Sequence, residues 1–398
     1  MNVRSSFAGC SPFDFSLPTR IHFGAGVRHQ LPGALLDCQA RKVLVVTDKG
    51  VMNTGLVTPF IEKMSHHGLS VSVFDDVRAN PTEQTVNRAA MLARHQEVDT
   101  ILAIGGGSSL DTGKGVAAIL LNNHNILDFE GQDKVEPPTP PVLAIPTTAG
   151  TGSEVTSWAV ITDTKNRFKA GVGSRHLAPA VALLDPELTL SLPRSLTAST
   201  GIDALTHAIE GFTARCANPI SDGMALQAME LIAGSLEQAV HNGQDLQARE
   251  SMLLGSLLAG IAFGNSDTAG VHSMAEALGA MFDVPHGEAN AIFLPYVMGY
   301  NLPEIPERIE RIGRAMGISP EKDLPAVETG RLTIRKIQAL ITRLDIPHLK
   351  ATGIDRQDLP TLAEKAHQNL GTPDNAREID ATGYLELFTR AFEQADPF

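Results

Sequence analysis

The sequence predicts an N-terminal α/β domain built on a parallel sheet, followed by an all-α domain. Three observations predict it. In the first half, short β-branched runs alternate with helical segments. Beyond about Pro186 those runs give way to Ala, Leu, Met and Glu at helical spacing. The 398 residues are also enough for two cores, with 43% hydrophobic and 19% charged side chains.

Arg41–Asp48 (RKVLVVTD) is an apolar run ending in an acid, as a strand buried on both faces gives. Leu69–Phe74, Thr100–Ile104, Val142–Ile145 and Val181–Leu184 continue the series, with helices expected at Thr82–Arg94 and Ser109–Leu121. In the second half, helical periodicity runs through Ser221–Val240, Ala248–Ala262, Pro306–Met316 and Thr329–Leu344. Asp185–Pro193 is the expected hinge, dividing residues 1–188 from 189–398. Glu136–Pro141 (EPPTPP) reads as a surface loop before a strand. Leu253–Phe263 is the most apolar helical stretch; it holds two glycines and is too short to span a bilayer, so it reads as a buried helix. Aromatics are only 5%, which leaves the cores to aliphatic side chains and alanine.

A net charge of −13 without any basic run argues against a nucleic-acid partner and against an anionic membrane surface. Cys10, Cys38 and Cys216 are too scattered for a disulfide framework or a thiolate zinc site. Met1–Arg20 lacks the basic patch and apolar stretch of a signal peptide, and a cytoplasmic protein is expected.

The run Gly105-Gly106-Gly107-Ser108-Ser109 follows an expected strand and precedes an expected helix. Glycines there let backbone amides approach a pyrophosphate, and the helix N-terminus adds unpaired donors. The spacing is not the usual GxGxxG, and a tight strand–helix turn explains it equally well. A second turn, Pro146–Glu154 (PTTAGTGSE), offers hydroxyls and mobile backbone at the same edge of the sheet. Asp48 ends a strand, where a carboxylate accepts from the ribose 2′-OH of NAD and repels the extra phosphate of NADP; its alternative is a helix N-cap.

Asp203 and His207 lie four apart in GIDALTHAIEGF, one helical turn on one face. His272 and His286 flank a helical segment further on. A lone histidine is more often a core or surface group than a ligand. Together these four make a plausible set of three nitrogens and one oxygen, suited to Fe(II), Zn(II) or a related divalent ion. A Lewis acid at an alcohol oxygen favours loss of its proton, and a nicotinamide beside it accepts hydride from the carbon.

GGGSSLDTGK (Gly105–Lys114), PTTAGTGSE, GIDALTHAIE (Gly201–Glu210) and the His272–His286 block with its PHG resemble the iron-containing, or group III, alcohol dehydrogenases. The resemblance runs in register over nearly the whole chain and is weakest beyond about Asn301. It implies a Rossmann-like dinucleotide domain and a helical metal domain in a dehydroquinate synthase-like architecture. It also implies NAD(H), iron or another divalent ion, a small alcohol or aldehyde substrate, and a homodimer or larger assembly. By the same resemblance, the metal ligands are Asp203, His207, His272 and His286. Cofactor contacts fall on Asp48, Asn80, Gly105, Gly106, Gly107, Ser108, Asp111, Thr147, Thr148, Thr151, Lys169 and Leu188. Trp158 and Phe263 match pocket-lining positions.

Two departures stand out. Many relatives carry a second histidine one turn after the third ligand; here that residue is Glu276. It could move the proton if an apolar cleft raised its pKa, or it could sit on the helix surface. Ser266-Asp267-Thr268 stands where relatives often have small or apolar residues, and it would make the substrate end of the cleft more polar. The rival readings are a zinc-dependent polyol dehydrogenase, a dehydroquinate synthase-like lyase and a non-catalytic nucleotide binder.

Overall fold

Continuous runs of Val, Leu and Ile cannot sit at a surface, and here they form the central strands of one sheet. A computed structural model describes residues 12–122, 124–321 and 323–398. In chain order its strands are β1 (Arg20–Phe23), β2 (Lys42–Asp48), β3 (Ser70–Val77), β4 (Thr100–Gly105), β5 (Gly131–Gln132), β6 (Val142–Pro146), β7 (Trp158–Asp163), β8 (Phe168–Gly173) and β9 (Val181–Leu184). Six of them form a sheet in the order β1-β9-β6-β4-β2-β3, and every pairing in it is parallel. A smaller sheet pairs β7 with β8 antiparallel and β8 with β5.

The helices of this half are α1 (Leu31–Asp37), α2 (Lys49–Asn53), α3 (Thr58–His66), α4 (Glu83–His95) and α5 (Gly107–Ile119). Alternation along the strands divides the packing between two faces. Val43, Val45, Leu102 and Ile104 pack against Leu31, Leu35, Phe60 and Met64 of α1 and α3. Leu44, Val46 and Ile101 pack against Ala89, Ala90 and Val116 of α4 and α5. The sequence-expected strands and helices fall within a few residues of those observed. β1 and the small β5–β8–β7 sheet were not expected. Their segments are short, and Phe168–Gly173 is diluted by Lys169 and two glycines.

The second half contains α6 (Arg194–Thr213), α7 (Pro219–His241), α8 (Leu246–Phe263), α9 (Gly270–Phe282), α10 (His286–Asn301), α11 (Pro306–Ala315), α12 (Ala326–Arg343), α13 (Leu359–His367) and α14 (Ala381–Glu393). Their shared core includes Leu205, Phe212, Met229, Leu253, Phe293 and Phe388. Each such side chain, wholly buried, stabilises by about 1.5–3 kcal/mol. The same core takes in Ala182 and Leu184 of β9 and Ala149 and Val155 of the β6–β7 loop, so helices and sheet are continuous. The expected hinge is a short 3-10 turn at Pro186–Thr189 leading into α6. The apolar stretch expected to be a buried helix lies in α8. Among the described residues no helix is long and apolar enough to cross a membrane.

One close approach fixes how the β6–β7 loop meets the helices. Gly152 has φ +61°, and a Cβ on it would lie 2.4 Å from the Cα of Gly260 in α8. Replacing Gly152 with Ala should therefore push the loop off α8 and lower stability by about 1–3 kcal/mol, read as a lower midpoint in thermal or urea unfolding. An unchanged midpoint would show that the loop yields without cost.

Candidate metal centre and active-site cleft

Three helices bring the four metal-type side chains together. Asp203 and His207 sit one turn apart on α6, His272 lies in the first turn of α9, and His286 is the first residue of α10. One ligand atom from each falls within 4.8 Å of all the others. His207 Nε2 is 3.0 Å from His272 Nε2, and Asp203 Oδ1 is 3.6 Å from His286 Nε2 and 4.0 Å from His272 Nε2. Ligand atoms on a tetrahedral ion with bonds of ~2.1 Å stand roughly 3.4 Å apart, so these spacings suit one small divalent ion. Asp203, His207 and His272 are buried.

The protonation of two of the three imidazoles favours metal binding. Burial pulls His207 down to about 4, and burial with the nearby Lys169 charge holds His286 well below the usual imidazole value. Both therefore keep lone pairs at neutral pH. Burial also acts to lower His272, but the Glu210 hydrogen bond and charge outweigh it and raise that group. His272 Nδ1 lies 2.6 Å from Glu210 Oε2, which places its proton on Nδ1 and turns Nε2 toward the other ligands. The hydrogen-bond donor between the converging ligand atoms is the Asn290 amide. Its Nδ2 donates to Asp203 Oδ1 at 2.6 Å and lies 3.2 Å from the Nε2 atoms of His272 and His286. Several lone pairs with one amide between them form a site whose chemistry a cation completes.

The cofactor-type residues lie along one edge of the sheet. Gly105 has φ +147°, and a Cβ there would strike Ser109 Oγ at 2.6 Å. A Cβ on Gly107 would meet Thr151 Cγ2 at 2.6 Å, and one on Gly106 would meet Thr148 at 3.3 Å. Thr147 N–H donates to the Gly105 carbonyl at 2.9 Å, so the two turns are pressed together. α5 starts at Gly107 without a side-chain cap, and its first amides are open to an anion. Asp48 does act as an N-cap, accepting from Val51 N–H at 2.9 Å with one oxygen. Its other oxygen faces Gly105. Asn80 (φ +53°) donates to Asp283 at 2.7 Å, bridging the α/β part to the end of α9. Leu188 is buried in the 3-10 turn after β9. Asp111 engages both oxygens internally, accepting from Ser153 Oγ at 2.5 Å and from Val160 N–H at 3.1 Å, and so braces the β6–β7 loop.

A single cavity joins these parts. Gly107, Ser108 and Thr151 line it together with His207, His272 and His286. Trp158, Phe263, Asp267 and Glu276 line it as well, and Phe263 stacks on the His207 ring with centroids 4.3 Å apart. Glu276 is thus a cavity group: Asn369 Nδ2 donates to its Oε2 at 2.6 Å. Burial pushes the Asp267 carboxyl up to about 6, with the Asp374 and Glu276 charges adding to it. The expected polar segment divides. Asp267 and Thr268 line the cavity, whereas Ser266 is buried and donates to the Gly211 and Ala262 carbonyls.

Two family models match the chain. One, described as iron-containing alcohol dehydrogenase, covers residues 18–186. The other, the C-terminal part of the Fe-containing alcohol dehydrogenase family, covers residues 197–392. The chain belongs to the iron-containing alcohol dehydrogenases. It is 39% identical over 389 residues to a 1,3-propanediol dehydrogenase of Citrobacter freundii, covering 96% of this chain and 99% of that one. It is 36% identical over 381 residues to a choline dehydrogenase of Bacillus subtilis (strain 168), covering 95% and 94%. Among solved structures, a 1,3-propanediol oxidoreductase superposes with a TM-score of 0.92 at 37% identity over 96% of this chain and all of the other. A sulfoacetaldehyde reductase from Bifidobacterium kashiwanohense in complex with NAD+ gives 0.85 at 31% identity, covering 96% and 99%. An NAD-dependent alcohol dehydrogenase with its parallel-sheet and helical halves is thus the class of enzyme in hand.

Several residues in or behind this cleft escaped the sequence reading. Glu210 was visible in principle, since Asp203, His207 and Glu210 recur at i, i+4 and i+7 on one face of α6. Asn290 likewise follows His286 by four on α10. Asn369 carries no local signal, because only the tertiary fold brings it to Glu276. Lys114 and Glu154 also went unnoticed. They are fully buried beneath the cleft, and burial brings Lys114 down to about 8 and Glu154 up to about 7. The Glu210 carboxylate generates the clearest test. Glu210→Gln should weaken metal binding about 10–100-fold in a metal titration, since the partner that orients and charges His272 is lost. Unaltered affinity would mean that the α9 backbone alone holds that ligand.

Proposed function

We propose that the enzyme interconverts a small primary alcohol and its aldehyde with NAD(H), holding Fe(II) or another divalent ion on Asp203, His207, His272 and His286. The observation that carries this reading is the convergence of those four ligand atoms beside a cavity that also reaches the glycine turn. Held by Asp203, His207, His272 and His286, such an ion would supply Lewis acidity at the substrate oxygen, and NAD(H) bound along the glycine turn would supply the hydride chemistry. Phe263, stacked on His207, and Trp158 keep that end of the cleft poor in water. Gly107, Ser108 and the uncapped start of α5 receive the pyrophosphate, and Thr148 and Thr151 flank it. Asp48 turns its free oxygen to the adenine ribose. Glu276, fixed by Asn369, is the group placed to pass the alcohol proton toward solvent. The acids Asp267 and Glu276 in the lining speak against the phosphorylated, acidic substrate of a dehydroquinate synthase-like lyase.

The division of labour falls at residues 1–188 for NAD and 189–398 for the metal. A homodimer or larger homo-oligomer is the assembly we infer, on the resemblance to the family, and the cytoplasm is the setting we infer for it.

His272→Ala should abolish turnover and strip the metal while NADH binding, followed by its fluorescence, stays measurable. Unchanged turnover would sink the metal mechanism. Aldehyde reduction should favour NADH over NADPH, because Asp48 would face the 2′-phosphate; a clear NADPH preference would refute that placement. Glu276→Gln should alter the pH–rate profile, and an identical profile rules out proton transfer through Glu276.

A further inference from the structure

Beyond the clustered histidines, the cavity lining carries more carboxylates than lysine or arginine side chains. Asp267 stands in the left-handed backbone region at φ +62°. One of its oxygens accepts from Thr268 N–H at 2.8 Å, and the other has no hydrogen-bond partner among the described residues. Glu276 accepts from Asn369 through Oε2, and its Oε1 is likewise without a partner among the described residues. The Lys and Arg content of the lining is Lys169 alone, against Asp111, Asp267 and Glu276. Lys169 already serves the charges of Glu276, Asp203, Asp111 and Asp283. Two half-buried carboxylates lining one pocket repel each other, and a cation held between them would relieve that repulsion.

The remaining wall suits such a cation. Trp158, Phe168, Phe263 and Leu370 line the same space. The Trp158 indole lies flat on β8, because Gly171 and Gly173 leave it room; a Cβ on Gly173 would be 2.6 Å from the ring. Phe263 is held by its stack on His207. Aromatic rings and carboxylates lining one pocket form the chemistry that recognises alkylammonium groups. Resting on the alcohol–aldehyde reading above, we propose that the site takes a small alcohol or aldehyde carrying an ammonium group, with Asp267 and Glu276 toward the cation and Trp158 and Phe263 around it. Sulfonate- or carboxylate-bearing alcohols are then poor substrates, because the same acids repel them.

The test compares isosteres. Choline and 3,3-dimethylbutan-1-ol have nearly the same shape and differ in charge, and 3-aminopropan-1-ol presents a primary ammonium instead. With metal-loaded enzyme and NAD, kcat/KM for at least one of the two cations should exceed that of the neutral alcohol about tenfold or more. Asp267→Asn and Glu276→Gln should each shrink that ratio. Which cation is preferred distinguishes quaternary from primary ammonium. A second readout needs no turnover. Trp158 is the one tryptophan of the sequence, so its fluorescence reports on this pocket. Tetramethylammonium chloride should change it saturably where sodium chloride at equal ionic strength does not, and Asp267→Asn should weaken that binding. A neutral alcohol used as well as its cationic isostere, or no saturable fluorescence change, overturns the proposal and leaves the dehydrogenase reading intact. Ammonium binding without oxidation of any alcohol supports the pocket and overturns the dehydrogenase reading instead.

Discussion

The Glu210 carboxylate, buried where α6 meets the start of α9, sets the geometry on which the metal-facing histidines depend. α9 begins at Gly270, and Ala269 before it offers no side-chain cap. Glu210 supplies the cap from another helix, accepting from Ala269, Val271 and His272 N–H at 3.0, 2.6 and 3.3 Å. A buried carboxylate without partners would cost several kcal/mol (the desolvation of an ion), so it stays buried only because that helix end and the His272 ring donate to it. The helix N-terminus adds a favourable dipole. One charge therefore joins two helices, fixes one ring tautomer and aims one nitrogen. A shift of α9 against α6 would break all of these together.

Glycine, by omission, does for the loops what Glu210 does for the helices. Gly287 follows the ligand His286, and a Cβ on it would lie 2.2 Å from the Ser199 carbonyl and 3.3 Å from Asp203 Cβ. Only a residue without a side chain lets α10 begin against α6 with His286 already beside Asp203. Gly150 meets Thr200 in the same way, and Gly152 meets Gly260. The β6–β7 loop is thus seated on α6 and α8, the former carrying Asp203 and His207 and the latter ending at Phe263. The glycine turn and the clustered histidines share one cavity because these backbone surfaces touch.

This explains which parts were legible in the sequence. The parallel strands were, because burial on both faces forces runs such as Val43–Val46 to be apolar without interruption. The four clustered side chains were, because the Asp203–His207 spacing and the PHG turn are local patterns. The meeting of α6, α9 and α10 was not, since it depends on contacts between residues some sixty to ninety apart, such as Glu210 with His272 and Asn290 with Asp203. Ser266 misled for the same reason. Its polarity suggested a cleft residue, but its hydroxyl is used up on two backbone carbonyls. Glu276 could be placed on the helix turn after His272 by counting, and yet its partner Asn369 lies on a segment ninety-three residues away.

Charge links the metal to the substrate end of the cleft. Asp203 and Glu210 surround three imidazoles, two of which burial keeps neutral. Only the raised His272 and the overcommitted Lys169 offset these acids from within. A divalent ion held on the Asp203, His207, His272 and His286 cluster would relieve that excess there, while Glu210 is already spent on α9. Further along the cavity Glu276 and Asp267 share Lys169 as the one Lys or Arg side chain of the lining. Glu276, one turn after His272 on α9, thus adds a carboxylate to the lining without disturbing the Asp203, His207, His272 and His286 cluster. The charge that a substrate meets beyond that cluster is therefore set by the side chains around it rather than by the cluster itself.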